Sequence, residues 1–437
     1  MNWSFCCGNS EWRTKRIACS PEAGLLEVTK TAAASRDRAR PRPFPRNTWF
    51  AGYWNQPRQT WVRRALFQVH LWSGITVGFV ATVVGLSGSA IVYKDSLDRV
   101  FTPRLFHTGP GPRLSTDTLL SSVSQLHPGW LMSYAAIGQG LSGVSNPWVV
   151  YMAIPGQPGA ELKLVYIDPA SGAELGETGE SSGLMNWLAE VHFRLLGGTT
   201  GTLVNGIGAV LLFVLCVSGI FIWWPGKGRV RTALTLRLRA RWLRLNWDVH
   251  NVFGFWSVIP LGIEAFTGAY YCFFVPMAAA LVLLLGGSVQ RWQEMSVPPR
   301  STLSPGAVHA AYEPLVREGL RRHPDCTLRG LALPLVATDP FIVQLDPPHA
   351  EDRGDYAQVA FDRYSGRVLS DMDSRREAMA IRVVNFIRPL HFGTFAGHWS
   401  RIAWIAVGIF PGVLFFTGFV MWWRRVPGRI LRTAPRR

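Results

Sequence analysis

The sequence predicts an all-α four-helix transmembrane bundle with two α+β domains outside the membrane, built as a tandem duplication. Three observations predict this fold class. The chain has four long apolar blocks, its basic segments alternate with less basic ones, and motifs of the first half recur in the second.

The apolar blocks lie near residues 66–93, 203–224, 252–275 and 402–423. About 20 apolar residues suffice to cross a bilayer core of roughly 30 Å, so each block predicts a membrane helix. Each block ends near a small residue followed by glycine, and a histidine precedes that step: His70, His192, His250 and His391 in chain order. These steps are Ser87-Gly88, Ser218-Gly219, Thr267-Gly268 and Thr417-Gly418.

The spacing of these features indicates an internal repeat. From histidine to glycine, the separation is 18 residues in the first and third blocks and 27 in the second and fourth. His127-Pro128 recurs 196 residues later as His323-Pro324, and Asp168 recurs 194 residues later as Asp362. The pattern predicts two copies of a helix, external domain, helix unit related by a pseudo-twofold axis along the membrane normal.

The charge distribution predicts the orientation. The net charge of +17 would suggest nucleic-acid binding in a soluble protein, but here the basic residues are segregated. Residues 1–64 hold 12 Lys and Arg, 225–245 hold 7 and 424–437 hold 6, whereas 95–190 hold 4 against 9 acidic residues. By the positive-inside rule, both termini and the middle loop are cytoplasmic, and nucleic acid is not an expected partner.

These observations predict nine segments: four membrane helices, two external domains and three basic cytoplasmic segments. In chain order they are a flexible basic arm (1–60), helix 1 (64–94), external domain 1 (95–185), helix 2 (186–224), a basic cytoplasmic loop (225–246), helix 3 with an outer extension (247–287), external domain 2 (288–385), helix 4 (386–424) and a basic cytoplasmic tail (425–437). The lipid bilayer is therefore an expected partner.

The duplication pairs the four upstream histidines. Helices 1 and 3 run outward, so His70 and His250 are expected at equal depth near the cytoplasmic side. Helices 2 and 4 run inward, so His192 and His391 are expected to meet at the outer side. Two imidazoles on facing helices are typical axial ligands of b-type haem, and small and aromatic neighbours suit a planar ring system.

Other metals remain open at this stage. Zinc fits less well, because no Cys or carboxylate accompanies each pair at a suitable spacing. Copper bound by His and Met is an alternative. Covalent haem attachment is not expected, since the chain has no C-x-x-C-H motif.

Four further residues are candidates. His398 lies seven residues after His391 and could replace it as a ligand. Arg194 and Arg401 could neutralise haem propionates, although charged side chains at a membrane interface also explain them. Glu264 lies inside a membrane span, which indicates a proton or substrate path or a protonated structural carboxyl group. The remaining histidines, including His127 and His323, are interpreted as surface or capping residues.

The helix motifs resemble the PepSY-associated transmembrane family. The motifs are VHLWSGITVGF, VHFRLLGG with SGIFIWWPGKG, WDVHNVFGFWS with FTGAYY, and LHFGTFAG with FTGFVMWWRR, and the resemblance extends from about residue 62 to 427. That family includes inner-membrane reductases of ferric siderophores. The resemblance implies PepSY-like periplasmic domains, a bacterial inner-membrane location, and two b-type haems held by His70, His250, His192 and His391.

The expected function is therefore transmembrane electron transfer to a periplasmic acceptor, with ferric siderophore iron as the substrate that the resemblance implies. Because no nucleotide-binding motif is present, the electron donor would be quinol or a separate reductase. Two alternatives stay open: a permease for iron chelates with a midplane site at Glu264, and a non-catalytic regulatory protein acting through its external domains.

Overall fold

The structure is a computed structural model that describes residues 61–137, 146–155, 162–180, 182–226, 228–303, 306 and 308–425. The predicted arm at 1–60 lies outside these residues, as does the tail beyond Arg425. Within the described chain, four helices are long and apolar enough to cross a membrane. They are α1 (Trp61–Ile91), α5 (Gly198–Trp223), α7 (Trp242–Cys272) and α13 (Gly397–Arg425).

These four helices pack into a bundle in which α1 and α7 each contact both α5 and α13. Their outward surfaces are apolar and open. Ile259, for example, is 72% exposed, and Trp256 is 67% exposed. A contiguous apolar surface of this kind would be unfavourable in water and is satisfied by lipid.

Nine shorter helices complete the helical part of the described chain. They are α2 (Lys94–Phe101), α3 (Thr116–Leu126), α4 (Leu184–Arg194), α6 (Val230–Ala233), α8 (Phe274–Leu284), α9 (Val289–Ser296), α10 (Tyr312–Arg322), α11 (Ala350–Arg353) and α12 (Met379–Phe392). Two of them, α4 and α12, directly precede the second and fourth spans and carry His192 and His391.

Eight strands form one antiparallel sheet in the order β4-β3-β2-β1-β5-β6-β7-β8. The strands are β1 (Leu131–Ile137), β2 (Trp148–Ala153), β3 (Lys163–Ile167), β4 (Glu174–Gly179), β5 (Thr327–Ala332), β6 (Phe341–Asp346), β7 (Ala357–Phe361) and β8 (Val368–Asp373). The first four strands come from the first half of the chain and the last four from the second. The pairing order is therefore symmetric about the central β1–β5 pair.

The sheet corrects the predicted fold class. An all-α class is wrong, because thirteen helices and an eight-stranded sheet together make a mixed α and β fold with four candidate spans. The two α+β segments also share one sheet instead of having a sheet each. The pairing of Ala135 with Leu331 joins them, and both residues are fully buried. Backbone pairing between distant strands is a tertiary property that apolar periodicity does not report.

Helices α3 and α10 cover one face of the sheet. Both place apolar residues at helical spacing, and Leu119, Val123 and Val316 pack on the sheet residues Val165 and Val359. Burying one stripe of each helix against one face of the sheet gives the core of this region.

The two halves also cap each other's helices. Asp117 accepts hydrogen bonds from the backbone N–H groups of Tyr312 (2.7 Å) and Glu313 (2.8 Å) at the start of α10. Glu313 accepts in return from the backbone N–H of Thr116 at 2.9 Å, at the start of α3. A carboxylate at a helix N-terminus satisfies free N–H groups and the helix dipole, so the exchange stabilises both helices and joins the halves.

The charge state of Glu313 links this exchange to pH. Burial raises the pKa of Glu313, but hydrogen bonds from Thr116 and the charge of Arg113 outweigh it and hold the pKa at about 2. A depressed pKa stabilises the fold above the ordinary value of 4.5, and this stability is lost as pH falls toward 2. We expect Glu313→Gln to cost about 1–3 kcal/mol at pH 7 and progressively less below pH 4.5.

Thermal unfolding of the detergent-purified protein at several pH values measures this. The control is Glu318→Gln, which removes exposed ion pairs to Arg321 and Arg322 and should change the midpoint little. Equal midpoints for Glu313→Gln and wild type at pH 7 would contradict the capping role.

Candidate functional site

Breaks in the backbone place two of the four paired histidines. The segment predicted as helix 2 (186–224) consists of α4 and α5, because Leu195 and Leu196 adopt left-handed φ values of 49° and 58° between them. In the second half, Gly393 is left-handed (φ 68°) between α12 and α13. Each break lets a short helix turn its histidine into the bundle, so that His192 contacts α1 and His391 contacts α7.

Every one of these histidines is held through Nδ1. His70 Nδ1 lies 3.1 Å from Ser218 Oγ, and His250 Nδ1 lies 2.8 Å from Thr417 Oγ1. His391 Nδ1 lies 2.8 Å from Thr267 Oγ1. His192 Nδ1 lies 2.8 Å from the backbone carbonyl oxygen of Val84.

The partners decide the tautomer. A carbonyl oxygen can only accept, so His192 Nδ1 carries the hydrogen. The hydroxyls of Ser218, Thr267 and Thr417 each donate their hydrogen to a carbonyl of their own helix, at 3.3, 2.8 and 2.7 Å respectively. Each hydroxyl can therefore accept from its histidine, and in that tautomer Nε2 keeps its lone pair, as it does in His192. A neutral imidazole oriented by a hydrogen bond at one nitrogen is ready to bind a metal at the other.

The glycine of each small-residue step lies against an imidazole, and at Gly88, Gly219 and Gly418 a Cβ would be too close to the ring. A Cβ added at Gly88 would lie 2.6 Å from His192 Cε1, and one at Gly219 would lie 3.2 Å from His70 Cε1. At Gly418 and Gly268 the corresponding distances are 3.3 Å to His250 and 3.9 Å to His391. The hydroxyl or carbonyl thus holds the ring while the glycine allows it to lie against the neighbouring helix.

The contacts run between helices within each half. His70 of α1 packs on the Ser-Gly step of α5, and His192 of α4 packs on the Ser-Gly step of α1. The second half repeats the exchange between α7 and α12–α13. Sequence spacing linked each histidine to the glycine of its own block, and the functional hydroxyl partners were missed. The recurring Ser/Thr-Gly step was the signal that could have found them.

The two halves then bring their histidines together in pairs. We call His192 and His391 the outer pair; their ring centres are 6.1 Å apart and their planes make an angle of 44°. We call His70 and His250 the inner pair; both line one cavity in the bundle. His398 lies elsewhere, with its Nδ1 3.2 Å from Tyr93 Oη and its ring stacked on that of Tyr93.

The inner cavity has a volume of about 240 Å³ and mostly apolar walls. Gly74, Gly78 and Gly254 flatten parts of its lining, and aromatic rings close it. The aromatic residues are Phe67, Trp223, Trp247, Phe255, Phe415, Phe419 and Trp422. Such a cavity suits a flat, largely apolar ligand that is bound at its centre by two imidazoles.

The two arginines have carboxylate partners. Arg194 Nη1 lies 2.7 Å from Glu190 Oε1, one helical turn earlier. Arg401 Nη2 lies 2.8 Å from Glu351 Oε2, and its guanidinium lies 5.6 Å from the ring centre of Tyr93. Arg401 is therefore part of a cluster with Tyr93 and His398, while the role of either arginine toward propionates stays a prediction.

Glu264 lies beside the outer pair. Its Oε2 is 3.4 Å from His391 Nδ1, and its side chain is 22% exposed. Thr267, which holds His391, lies on the same face of α7 one turn later. The carboxyl group is therefore placed to affect the hydrogen bonding of one outer histidine.

A comparison with protein families agrees with this architecture. The family of the PepSY-associated TM region matches residues 67–425. The chain belongs to this family. The match includes all four spans from Phe67 onward, the sheet and the four paired histidines, so the family predicted from the helix motifs is confirmed. No curated protein matches the chain. With its four apolar helices, this member of the PepSY-associated TM family is a membrane protein.

Proposed function

We propose that this protein binds two b-type haems and carries electrons across a membrane to reduce an acceptor on the outer side. The observation that carries the proposal is the state of the four imidazoles. Each hydrogen-bonds through Nδ1, which leaves Nε2 available to a metal; His192 and His391 face each other, and His70 and His250 line one cavity. Bis-imidazole ligation by facing helices is a common way to hold haem in a helical bundle.

The spacing of the outer pair would accommodate a metal between the rings if the two Nε2 atoms face each other. A metal–nitrogen bond of about 2 Å on each side, with each ring centre roughly 1 Å beyond its nitrogen, requires ring centres roughly 6 Å apart. The observed distance is 6.1 Å. At the inner pair, the support is the apolar cavity between His70 and His250 and the glycines that line it. When bound, haem would supply one-electron redox chemistry at both depths.

The chain's own groups orient the ligands and exclude water. Ser218, Thr417 and Thr267 fix three imidazoles, and the carbonyl of Val84 fixes the fourth. Ser218 and Thr267 are buried, which keeps these hydrogen bonds away from water. We propose that Glu264 holds a proton near His391 and takes part in a proton path beside the outer pair.

The acceptor, donor and location are part of the same proposal. Ferric siderophore iron is the proposed substrate; one electron would convert Fe(III) to Fe(II), which hard oxygen chelators bind less tightly. Quinol or a separate reductase would supply the electrons. The proposed location is the bacterial inner membrane, with both termini cytoplasmic and the eight-stranded sheet in the periplasm, because the basic segments flank the same ends of the helices.

The first test is a reduced-minus-oxidised spectrum of the detergent-purified protein, with haem quantified per chain as the pyridine complex. We expect about two b-type haems, and reduction of a ferric siderophore by the reduced protein.

Glu264→Gln tests the proposed proton path. Glutamine keeps the shape of the side chain but cannot release a proton. The variant should retain both haems and reduce the acceptor more slowly.

A colourless protein after expression with ample haem would refute the proposal. Transport of an iron chelate without haem would then favour the permease. Capture of a protein partner by the sheet region, also without haem, would favour the regulatory function.

A further inference from the structure

A histidine and two glutamates meet at the β4 edge of the sheet, away from the paired histidines. One donor atom from each of His127, Glu174 and Glu177 lies within 4.8 Å of the other two. His127 Nε2 is 2.9 Å from Glu174 Oε2, and Glu177 Oε2 is 2.8 Å from Lys163 Nζ. His127 and Glu174 are largely buried, with side chains 12% and 23% exposed.

A bulge in β4 puts both glutamates on one face. Residues three apart on a regular strand point to opposite faces, so Glu174 and Glu177 would normally diverge. Here Glu177 pairs with Val165 and Glu174 pairs with Ile167, because the register shifts between Tyr166 and Ile167. Val165 and Ile167 point into the core under α3, so both glutamates also point toward α3. Its C-terminal end presents His127.

The β7–β8 pair of the second half has the same register shift as the β3–β4 pair, but it has different side chains at the corresponding positions. The register of β7 and β8 shows the equivalent shift, which makes Val368 the counterpart of Glu174 and Asp371 the counterpart of Glu177. His323 Nε2 contacts Asp371 Oδ1 at 2.7 Å, and Arg322 contacts the other oxygen at 3.0 Å. The second half therefore has one carboxylate balanced by one arginine, whereas the first half has two carboxylates against Lys163.

We propose that His127, Glu174 and Glu177 form a binding site for a divalent transition-metal cation of the Zn²⁺ type. One imidazole nitrogen and two carboxylates are suitable ligands, and three protein ligands leave a position for water or another group. The two carboxylates of Glu174 and Glu177 carry one more charge than the ammonium group of Lys163 neutralises. A bound cation would balance the remaining negative charge. Lys163 lies 4.7 Å from the ring centre of Trp130 and can keep that contact when Glu177 turns to the metal.

The bound cation would join the end of α3 to the edge strand β4. The chain continues from Gly179 through residues 180–183 to α4, which carries His192. The site would therefore stabilise the strand that leads into the outer pair. The inference is independent of whether haem is bound.

Zinc titration of the full-length, detergent-purified protein against a chromophoric indicator tests the site. The decisive variant is Glu174→Val, which installs the residue that the second half has at this position and that its backbone accepts. We expect zinc affinity at this site to fall about tenfold or more, because one of the three ligands is removed. His323→Gln is the matched control and should bind zinc as wild type does.

A second readout separates metal binding from a simple ion cluster. Zinc should raise the thermal midpoint of wild type and of His323→Gln but not that of Glu174→Val, since a ligand that binds the folded state stabilises it. If His127, Glu174 and Glu177 form only a hydrogen-bonded cluster, zinc will not raise the wild-type midpoint. That result, or equal zinc binding by wild type and Glu174→Val, would overturn the proposal.

Discussion

His391→Ala is expected to lower the haem content from about two per chain to about one, whereas His398→Ala should leave it unchanged. The reason is geometric. His391 faces His192 with ring centres 6.1 Å apart, while His398 stacks on Tyr93 and is hydrogen-bonded to it. Haem quantification per chain for the two variants, purified in parallel, measures the difference.

Thr267→Val extends this prediction to the group that orients the ligand. Valine is close in size to threonine but cannot accept the hydrogen bond from His391 Nδ1, so the imidazole loses its fixed tautomer and orientation. We expect the outer haem to be retained about 10–100-fold less tightly, because losing such a partner typically has an effect of this size.

The comparison of His391→Ala with His398→Ala has a clear contrary outcome. Loss of haem in His398→Ala together with full retention in His391→Ala would assign the ligand to His398 instead.

Gly85→Val is expected to prevent normal packing of the bundle. Gly85 of α1 lies against Gly408 of α13, and a Cβ at Gly85 would overlap the carbonyl oxygen of Gly408. Ser89 Oγ also donates to the carbonyl of Ile405 across this contact at 2.9 Å. A valine side chain would force α1 and α13 apart, so the close contact between their backbones would be lost.

The expected cost exceeds the ~1–3 kcal/mol of ordinary overpacking, because the clash is with backbone and not with a flexible side chain. It should appear as a lower thermal midpoint and a lower yield of monodisperse protein. Gly262→Val is the matched control: Gly262 lies in another membrane helix, α7, with open space where a Cβ would be. Equal midpoints for the two variants would show that the α1–α13 contact tolerates separation.

Much of the membrane part could be predicted from local pattern. Hydropathy located the four spans, with ends that differ from the helix ends by one to ten residues, since a bilayer requires about 20 apolar residues wherever a helix crosses it. Duplicate motifs such as His127-Pro128 and His323-Pro324 located the repeat. Each motif is a short stretch of adjacent residues, so it can be recognised without knowledge of the fold. The family followed from the helix motifs, and the match over residues 67–425 agrees.

The extent of the sheet could not be predicted in this way. Each half was expected to contain an α+β domain, but the paired strands β1 and β5 are almost 200 residues apart in the chain. The two halves dock through this pairing and through the caps that Asp117 and Glu313 provide. The predicted class was therefore wrong, because local pattern predicts single elements while a sheet is defined by contacts between distant ones.

The sequence by itself thus determined which segments enter the membrane and which residues are repeated, because both depend on composition over short windows. Tertiary structure alone decided that each histidine rests on the Ser/Thr-Gly step of a neighbouring helix, that His391 and not His398 faces His192, and that a bulge turns Glu174 and Glu177 toward His127. These are contacts between segments far apart in the chain, and they depend on helix breaks, crossings and register that only packing of the whole chain specifies.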